Sequence, residues 1–375
     1  MSDTQSAPRA SAGGATGISA AAALAASVVR DDVLALSAYA VPSAAGFLKL
    51  DAMENPYSLP DALREAVAQA VAGAALNRYP DPRAPELQAR LRSVMQIPAE
   101  SALMLGNGSD EIIAVVSQAL ARPGACVLGI EPSFVMYRMS AHAAQVRHVG
   151  VALRPDFSLD TEAVLAAIAT HRPAVVWISY PNNPTGNLFP DADIEAILAA
   201  APGLVVLDEA YNIFAGRSWL SRLPEFPNMM VMRTLSKVGL AGIRLGYAAA
   251  HPDWIREFDK LRPPYNVNVL TQAAAQTLLD HASVFDEQAQ RICETRRDLM
   301  TRLAAMPGVE VFPSNANFVL ARFADGPGLM KALLDRHILV KNLHAFHPLL
   351  VNCLRFTVGT PAENALLVSA VADAL

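Results

Sequence analysis

Four short apolar runs, each followed by a residue able to do chemistry, constrain this chain more than any other feature. They are Ala125 to Ile130, Ala174 to Ser179, Leu204 to Leu207 and Met229 to Arg233. Each is bounded by Pro or Gly or by loop-like sequence and is too short for an ordinary helix. Amphipathic stretches such as Thr161 to Thr170 and Ala192 to Ala201 lie between them. Strand-length runs alternating with helices imply crossover units and an α/β fold, with a mainly parallel sheet covered on both faces. Helices at Ser109 to Leu120 and Leu270 to Met306 frame this region. From Glu310 onward the pattern changes. Glu310 to Phe312, Phe318 to Arg322, Ile338 to Val340 and Leu354 to Val358 read as strands around one helix near Leu329 to Arg336, a smaller α+β domain.

Open parallel sheets bind ligands beyond the carboxyl ends of their strands. Here the four runs are followed by Phe134, Asn183, Asp208 and Lys237. The separations are 25 residues from Asn183 to Asp208 and 29 from Asp208 to Lys237, which suits successive strand units. One crevice would then hold an aromatic ring, an amide, a carboxylate and an amine.

Each of these has an ordinary reading beside a chemical one. Most lysines are solvated surface groups, but Lys237 follows a strand end, and no other charge occurs until Arg244. Desolvation there would lower its pKa and favour the neutral amine that condenses with a carbonyl. Asp208, in Leu207-Asp208-Glu209-Ala210-Tyr211, either caps a loop or faces a protonated ring nitrogen. In the second case, opposite charges ~4 Å apart gain about 4 kcal/mol at an effective dielectric of ~20, before desolvation. The segment Tyr180 to Gly186 has the composition of a turn, yet the Asn183 amide and the Tyr211 hydroxyl could donate to one ligand oxygen. Phe134 is either a core aromatic or a stacking platform.

An anion would need its own cradle. Gly106-Asn107-Gly108-Ser109-Asp110-Glu111 precedes an apolar helix. It is either an ordinary helix start or an anion site built from Ser109, Asp110 and backbone N–H groups. Ser236 and Arg244 would add a hydroxyl and a fixed charge, the guanidinium being suited to bidentate phosphate contact. The dinucleotide fingerprint and the Walker A lysine motif are both absent.

Composition narrows the partners. The 375-residue chain is 53% hydrophobic and carries a net charge of −5, so it can bury a sizeable core and lacks the basic surface of a nucleic-acid or anionic-membrane binder. Any phosphate site is therefore local, and the partners expected are small molecules. Cys126, Cys293 and Cys353 are widely spaced and without metal-ligand spacing, which reads as reduced thiols in a cytoplasmic protein. Met1 to Gly17, rich in Ser, Ala and Gly, is expected to be disordered. Ile18 to Val29 is mostly Ala and runs into Asp31-Asp32, unlike the strongly apolar core of an export signal. No run is long and apolar enough for a transmembrane helix.

Asn183-Pro184-Thr185-Gly186, Asp208-Glu209-Ala210-Tyr211 and Ser236-Lys237 followed by Arg244 stand in the order and spacing of the aspartate-aminotransferase-like pyridoxal-phosphate enzymes. From about residue 30 onward the chain resembles that superfamily. Within it, Leu50-Asp51-Ala52-Met53-Glu54-Asn55-Pro56-Tyr57, Asn77-Arg78-Tyr79-Pro80-Asp81 and Leu354-Arg355-Phe356-Thr357-Val358-Gly359-Thr360 are most similar to the histidinol-phosphate aminotransferases.

The resemblance implies a large domain with a mainly parallel seven-stranded sheet and a smaller α+β domain. The expected divisions are a disordered or loosely attached segment over 1–30, an arm over 31–60 joining the small domain, a cofactor-binding domain over 61–268 and the small domain over 269–375. It implies pyridoxal 5'-phosphate carried on Lys237, with Asp208 at the ring nitrogen, Asn183 and Tyr211 at the phenolic oxygen and Phe134 against the ring. Ser109, Asp110, Ser236 and Arg244 would hold the phosphate. Tyr79 would reach the phosphate of the other subunit, which makes a homodimer with shared sites. Arg355 would grip the anionic end of the substrate, assisted by Tyr57, Asn183 and Lys341. Two residues depart from the pattern. Phe134 stands where many relatives have tyrosine, and Lys341 where some have arginine, replacing a fork with a point charge. The reaction implied is amino-group transfer between L-histidinol phosphate and 2-oxoglutarate. The rival readings are an aromatic or broad-specificity aminotransferase, a phosphothreonine decarboxylase and a cofactor-binding regulator without catalysis.

Overall fold

The computed structural model describes residues 19–38 and 42–375, so the disorder expected of Met1 to Gly17 lies outside the described residues. The chain divides into a unit ending at Ser43 and a unit from Ala44 to Leu375. In the first, Ala20–Val28 forms a helix capped by Ser19, whose Oγ accepts the Ala22 N–H at 3.1 Å, and none of the helix residues is buried.

The second unit contains two sheets. In chain order the strands are β1 (Leu48–Leu50), β2 (Ala102–Asn107), β3 (Cys126–Glu131), β4 (Arg147–Ala152), β5 (Val175–Ser179) and β6 (Leu204–Asp208). They continue with β7 (Met229–Thr234), β8 (Leu245–Ala250), β9 (Glu310–Val311), β10 (Phe318–Arg322), β11 (Ile338–Asn342) and β12 (Cys353–Thr357). A seven-stranded sheet has the order β2-β8-β7-β6-β5-β3-β4 and a five-stranded one β1-β11-β12-β10-β9. Strands β3 to β7 pair in parallel, while β8 is antiparallel to both β7 and β2. This is the mixed α/β architecture, mainly parallel with a smaller second sheet, that the alternating pattern predicts.

The apolar runs of the central strands are continuous because both faces are covered. Val176, Ile178, Val205, Leu207 and Val231 point into one cluster with Leu87, Ile194 and Leu278. Their neighbours Val175, Trp177, Val206, Met230 and Met232 point into another with Ile112, Tyr137 and Phe258. The small sheet has its own core, including Leu50, Ile292, Phe318, Val340 and Phe356.

The stretch expected as one helix from Leu270 to Met306 is two, Val269–Leu279 and Ala282–Ala304. The break at Asp280 and His281 separates different packing tasks. The first helix buries Ala274, Ala275 and Leu278 in the large sheet's cluster, whereas the second buries Ala289, Ile292 and Leu299 in the small sheet's core. Among the described residues no helix is long and apolar enough to cross a membrane.

Register brings the carboxyl ends of the central strands level: Ser179 of β5 lies opposite Asp208 of β6, and Asp208 opposite Met232 of β7. The loops leaving those ends share one rim.

Candidate active site

At that rim, Ser109, Asp110, Phe134, Asn183, Asp208, Tyr211, Ser236, Lys237 and Arg244 line one cleft. The sequence-derived candidates that the strand ends supply thus come together, with Asp208 and Lys237 on the same cavity. Met53, Ser179, Ala210 and Thr234 complete the lining and were not singled out in the sequence.

Asp208 closes β6 and is 3% exposed. Its Oδ2 accepts the Tyr137 hydroxyl at 2.7 Å and its Oδ1 the Ala210 N–H at 3.1 Å. Burial pushes its carboxyl up to about 6, opposed by those two hydrogen bonds. It is therefore largely ionised at neutral pH and strongly favours a cation beside it.

Lys237 sits in the tight turn Ser236–Leu240 after β7, and its Nζ donates to the Ala52 carbonyl at 2.9 Å. Burial first, then the Arg355 charge, lowers its amine to about 8. A neutral nucleophilic amine is thus accessible near physiological pH.

The anion cradle forms where the helix Gly108–Ala119 begins. Arg244 Nη1 donates to Ser236 Oγ at 3.3 Å, and Arg244 Nη2 lies 3.7 Å from Asp110 Oδ2. Glycine is required here for space and conformation. Gly108 has φ +75°, and a Cβ on it would come within 2.7 Å of Arg244 Nη2. A Cβ on Gly246 of β8 would lie 2.7 Å from the Gly108 carbonyl carbon. The helix start therefore packs closely on β8 and beside the guanidinium, which brings a helix N-terminus and a fixed positive charge together, the arrangement an anion needs.

Asn183 and Tyr211 meet, but not as two free donors. Asn183 Nδ2 donates to the Tyr211 hydroxyl at 3.1 Å, and Asn183 Oδ1 accepts from Arg355 Nη1. Arg355 Nη2 also donates to the Asp51 carbonyl at 2.9 Å. The Tyr211 hydroxyl in turn donates to Met53 Sδ at 3.2 Å, and burial raises its pKa. Phe134 lies at the cleft with its ring edge-on to Tyr137, centroids 5.6 Å apart at 85°.

The remaining candidates lie outside the cleft lining. Lys341 of β11 is opposite Arg355 of β12 in the antiparallel register, its Nζ 5.1 Å from the Phe346 ring centroid. Tyr57 is half-buried under the Arg291 guanidinium, 5.8 Å from its centroid. Tyr79 is 80% exposed and stacks on Tyr265, centroids 4.5 Å apart.

Tyr137 is the most consequential residue the sequence did not reveal. It sits three positions past Phe134 on the helix Met136–Ala143, whose buried residues are Tyr137, Ser140 and Ala141. The donor set of the cleft fits pyridoxal phosphate: an amine for its carbonyl, a buried carboxylate for its ring cation and an anion cradle for its phosphate.

Fold and site define a class of enzyme. The sequence model of aminotransferase class I and II matches residues 45–371, and the chain belongs to that family. Within it the chain stands among the histidinol-phosphate aminotransferases. It is 57% identical over 353 residues to "Histidinol-phosphate aminotransferase 1" of Ralstonia nicotianae, covering 93% of this chain and 94% of that one. It is 56% identical to the Chromobacterium violaceum histidinol-phosphate aminotransferase, over 92% of this chain and 97% of the relative. Among solved structures, the histidinol-phosphate aminotransferase of Sinorhizobium meliloti in complex with pyridoxal-5'-phosphate superposes with a TM-score of 0.80 at 26% identity, covering 93% of this chain and 97% of that chain.

Proposed function

We propose that this aminotransferase exchanges an amino group between L-histidinol phosphate and 2-oxoglutarate in histidine biosynthesis, with pyridoxal 5'-phosphate held on Lys237. The observation that carries the reading is the convergence of Lys237, Asp208 and the Ser109–Ser236–Arg244 cradle on one cleft. When bound, pyridoxal phosphate supplies the carbonyl that receives the amino group and a ring that takes up the electron pair left at the substrate Cα.

Asp208 would pair with the ring nitrogen and keep it protonated, because a buried carboxylate without a cation beside it is costly. Ser109, Ser236, Arg244 and the N–H groups opening the helix Gly108–Ala119 hold the phosphate. Phe134 covers the ring with a face that lacks the hydroxyl of a tyrosine. Lys237, its amine released by the incoming substrate, would take the proton from the substrate Cα and deliver it to the carbon that was the cofactor's carbonyl, general acid–base work typically worth 10²–10⁴-fold. Its lowered pKa suits that role. Asn183 and Tyr211 act together at the phenolic oxygen, their orientation fixed by Arg355. Arg355 binds the anionic end of either substrate, assisted by Lys341, its register partner on the small sheet, and by Tyr57 on the strap after β1. Tyr79, exposed within one subunit, serves the phosphate of the partner in a homodimer. The free thiols Cys126, Cys293 and Cys353 suit a cytoplasmic enzyme.

Half-reactions of the purified holoenzyme with histidinol phosphate, phenylalanine and phosphothreonine, followed by cofactor absorbance, test the substrate. A preference for phenylalanine, or release of carbon dioxide, overturns it. Mixing Lys237→Ala with Tyr79→Ala subunits tests the shared site. If the sites are shared, mixed dimers have activity different from that of either parent, whereas additive behaviour refutes sharing.

A further inference from the structure

Tyr137 is 2% exposed, and no step above uses its hydroxyl. Its ring is clamped: it stacks on Trp177 of β5 with centroids 5.0 Å apart and planes 7° from parallel, and meets Phe134 edge-on. That clamp aims the hydroxyl at Asp208 Oδ2, 2.7 Å away. Burial, then the Asp208 charge, raises the phenol well above its ordinary value, so it carries its proton throughout the working range and can only donate to the carboxylate.

We propose that Tyr137 is a positioning residue for the cofactor, its hydroxyl holding the Asp208 carboxylate ionised and oriented while its ring sets the angle of Phe134. The proposal rests on the assignment of Asp208 to the ring nitrogen. Because Oδ2 receives the phenol and Oδ1 the Ala210 N–H, the carboxylate plane is fixed from two sides. A carboxylate that is buried but donated to by two groups stays charged where burial alone would neutralise it. One aromatic side chain thus sets both the charge below the ring nitrogen and the platform against the ring.

Tyr137→Phe removes the hydroxyl and keeps the ring. Loss of one hydrogen bond to a charged oxygen moves a carboxylate by about one pH unit upward. The other groups facing Asp208 are Asp110 at the start of the helix Gly108–Ala119, the adjacent Glu209, Tyr211 after β6, and Lys237 across the cleft. All are common to both proteins and cancel in the comparison. Full-length protein freed of cofactor is titrated with pyridoxal phosphate, and binding is read by its visible absorbance from pH 5.5 to 8.5. The expected result is about fivefold weaker binding by Tyr137→Phe at pH 6 and near-equal binding at pH 8.5, as one unit of carboxyl shift requires. Equal binding at every pH, or a loss of the same size at every pH, overturns the proposal, the latter because a merely structural role weakens binding uniformly. Failure of the wild-type protein to bind pyridoxal phosphate at all, or undiminished binding by Asp208→Asn, refutes the underlying assignment of the site instead.

Discussion

Asp208→Asn should remove from the cofactor-free protein a pH response that the wild type has, and the size of that response follows from burial. In the folded chain, burial carries the Asp208 carboxyl from 3.8 to about 6. The folded state therefore binds the proton more tightly than the unfolded state, and its stability falls as pH rises through that window. A gap of about 2 pH units corresponds to about 3 kcal/mol in full. Asparagine has no such titration. It does leave one cost that is independent of pH: the Tyr137 hydroxyl and the Ala210 N–H both donate to the carboxylate, and an amide offers only one oxygen, so a buried donor loses its partner at about 1–3 kcal/mol. The absolute difference at one pH mixes the two effects, while its change with pH isolates the first. Urea unfolding at fixed protein concentration should show the stability of Asp208→Asn relative to wild type rising by about 2 kcal/mol between pH 4.5 and pH 7.5. A relative stability that is flat or falls across that range would refute the account of Asp208 as a charge held against its burial. Added pyridoxal phosphate should stabilise the wild type much more than the variant, by mass action on the folded state.

Other perturbations test separate parts of the structure. Glu209 is fully buried and pairs with Arg233 at 2.8 Å while accepting the Trp219 N–H; Glu209→Ala leaves that guanidinium uncompensated and should cost about 3–5 kcal/mol in urea unfolding. Gly108→Ala puts a Cβ at φ +75° and 2.7 Å from the Arg244 guanidinium. It should cost about 1–2 kcal/mol of backbone strain, and it should raise the dissociation constant for pyridoxal phosphate, measured by absorbance titration, while an alanine at Gly242 should not. The Lys237 amine is lowered to about 8 by burial and by Arg355. Its neutral fraction therefore grows through that pH, and stopped-flow rates of cofactor attachment should climb from pH 7 and level off above about 8.5; a rate still rising tenfold per unit at pH 9.5 would contradict the lowered value.

The legible parts of the fold are those where one stretch of sequence meets one environment. Strands β5, β6 and β7 are apolar on both faces because both are covered, so their runs stand out and their ends mark the site. Three of the four strands missed, β1, β4 and β8, have mixed or weak signals. Strand β8 is Leu245-Gly246-Tyr247-Ala248-Ala249-Ala250, rich in residues that favour strands poorly, and at Gly246 the backbone of Gly108 and Ser109 leaves no room for a side chain. Strand β4 lies at the sheet edge with partly exposed residues. Strand β1 is three residues long and exists only through parallel pairing with β11, a partner 290 residues later at Leu48↔Ile338. The final helix, Pro361–Ala372, did carry a sign, since Thr360 and Glu363 form a capping box. In the site, Lys237, Asp208 and Ser109 end or follow strands or open a helix, and Arg244 lies seven residues past Lys237, so local order suffices to find them. Tyr137 functions through packing on Trp177, which no local pattern encodes.

The hydrogen bonds around the cleft join the two sheets, and this bears on how its chemistry is tuned. Arg355, on β12 of the small sheet, donates to Asn183 beyond β5 of the large sheet, and Asn183 donates to Tyr211 beyond β6. The strap after β1 is held between them. The Ala52 carbonyl accepts Lys237 Nζ, the Met53 N–H donates to Thr357 Oγ1, and the Met53 carbonyl accepts Asn317 Nδ2. Met53 adopts φ 55°, a conformation that branched or bulky side chains rarely take, and it is fixed at both backbone groups by buried partners. The Lys237 amine, its acceptor, the Arg355 guanidinium, the Asn183 amide and the Tyr211 hydroxyl are therefore one connected network. An anion docking on Arg355 competes directly with Asn183 for the guanidinium, and any change in that contact reorients the amide facing Tyr211. On the proposed assignment of Arg355, substrate binding at the small sheet is in this way linked to the hydrogen bonding of Asn183 and Tyr211 through shared atoms.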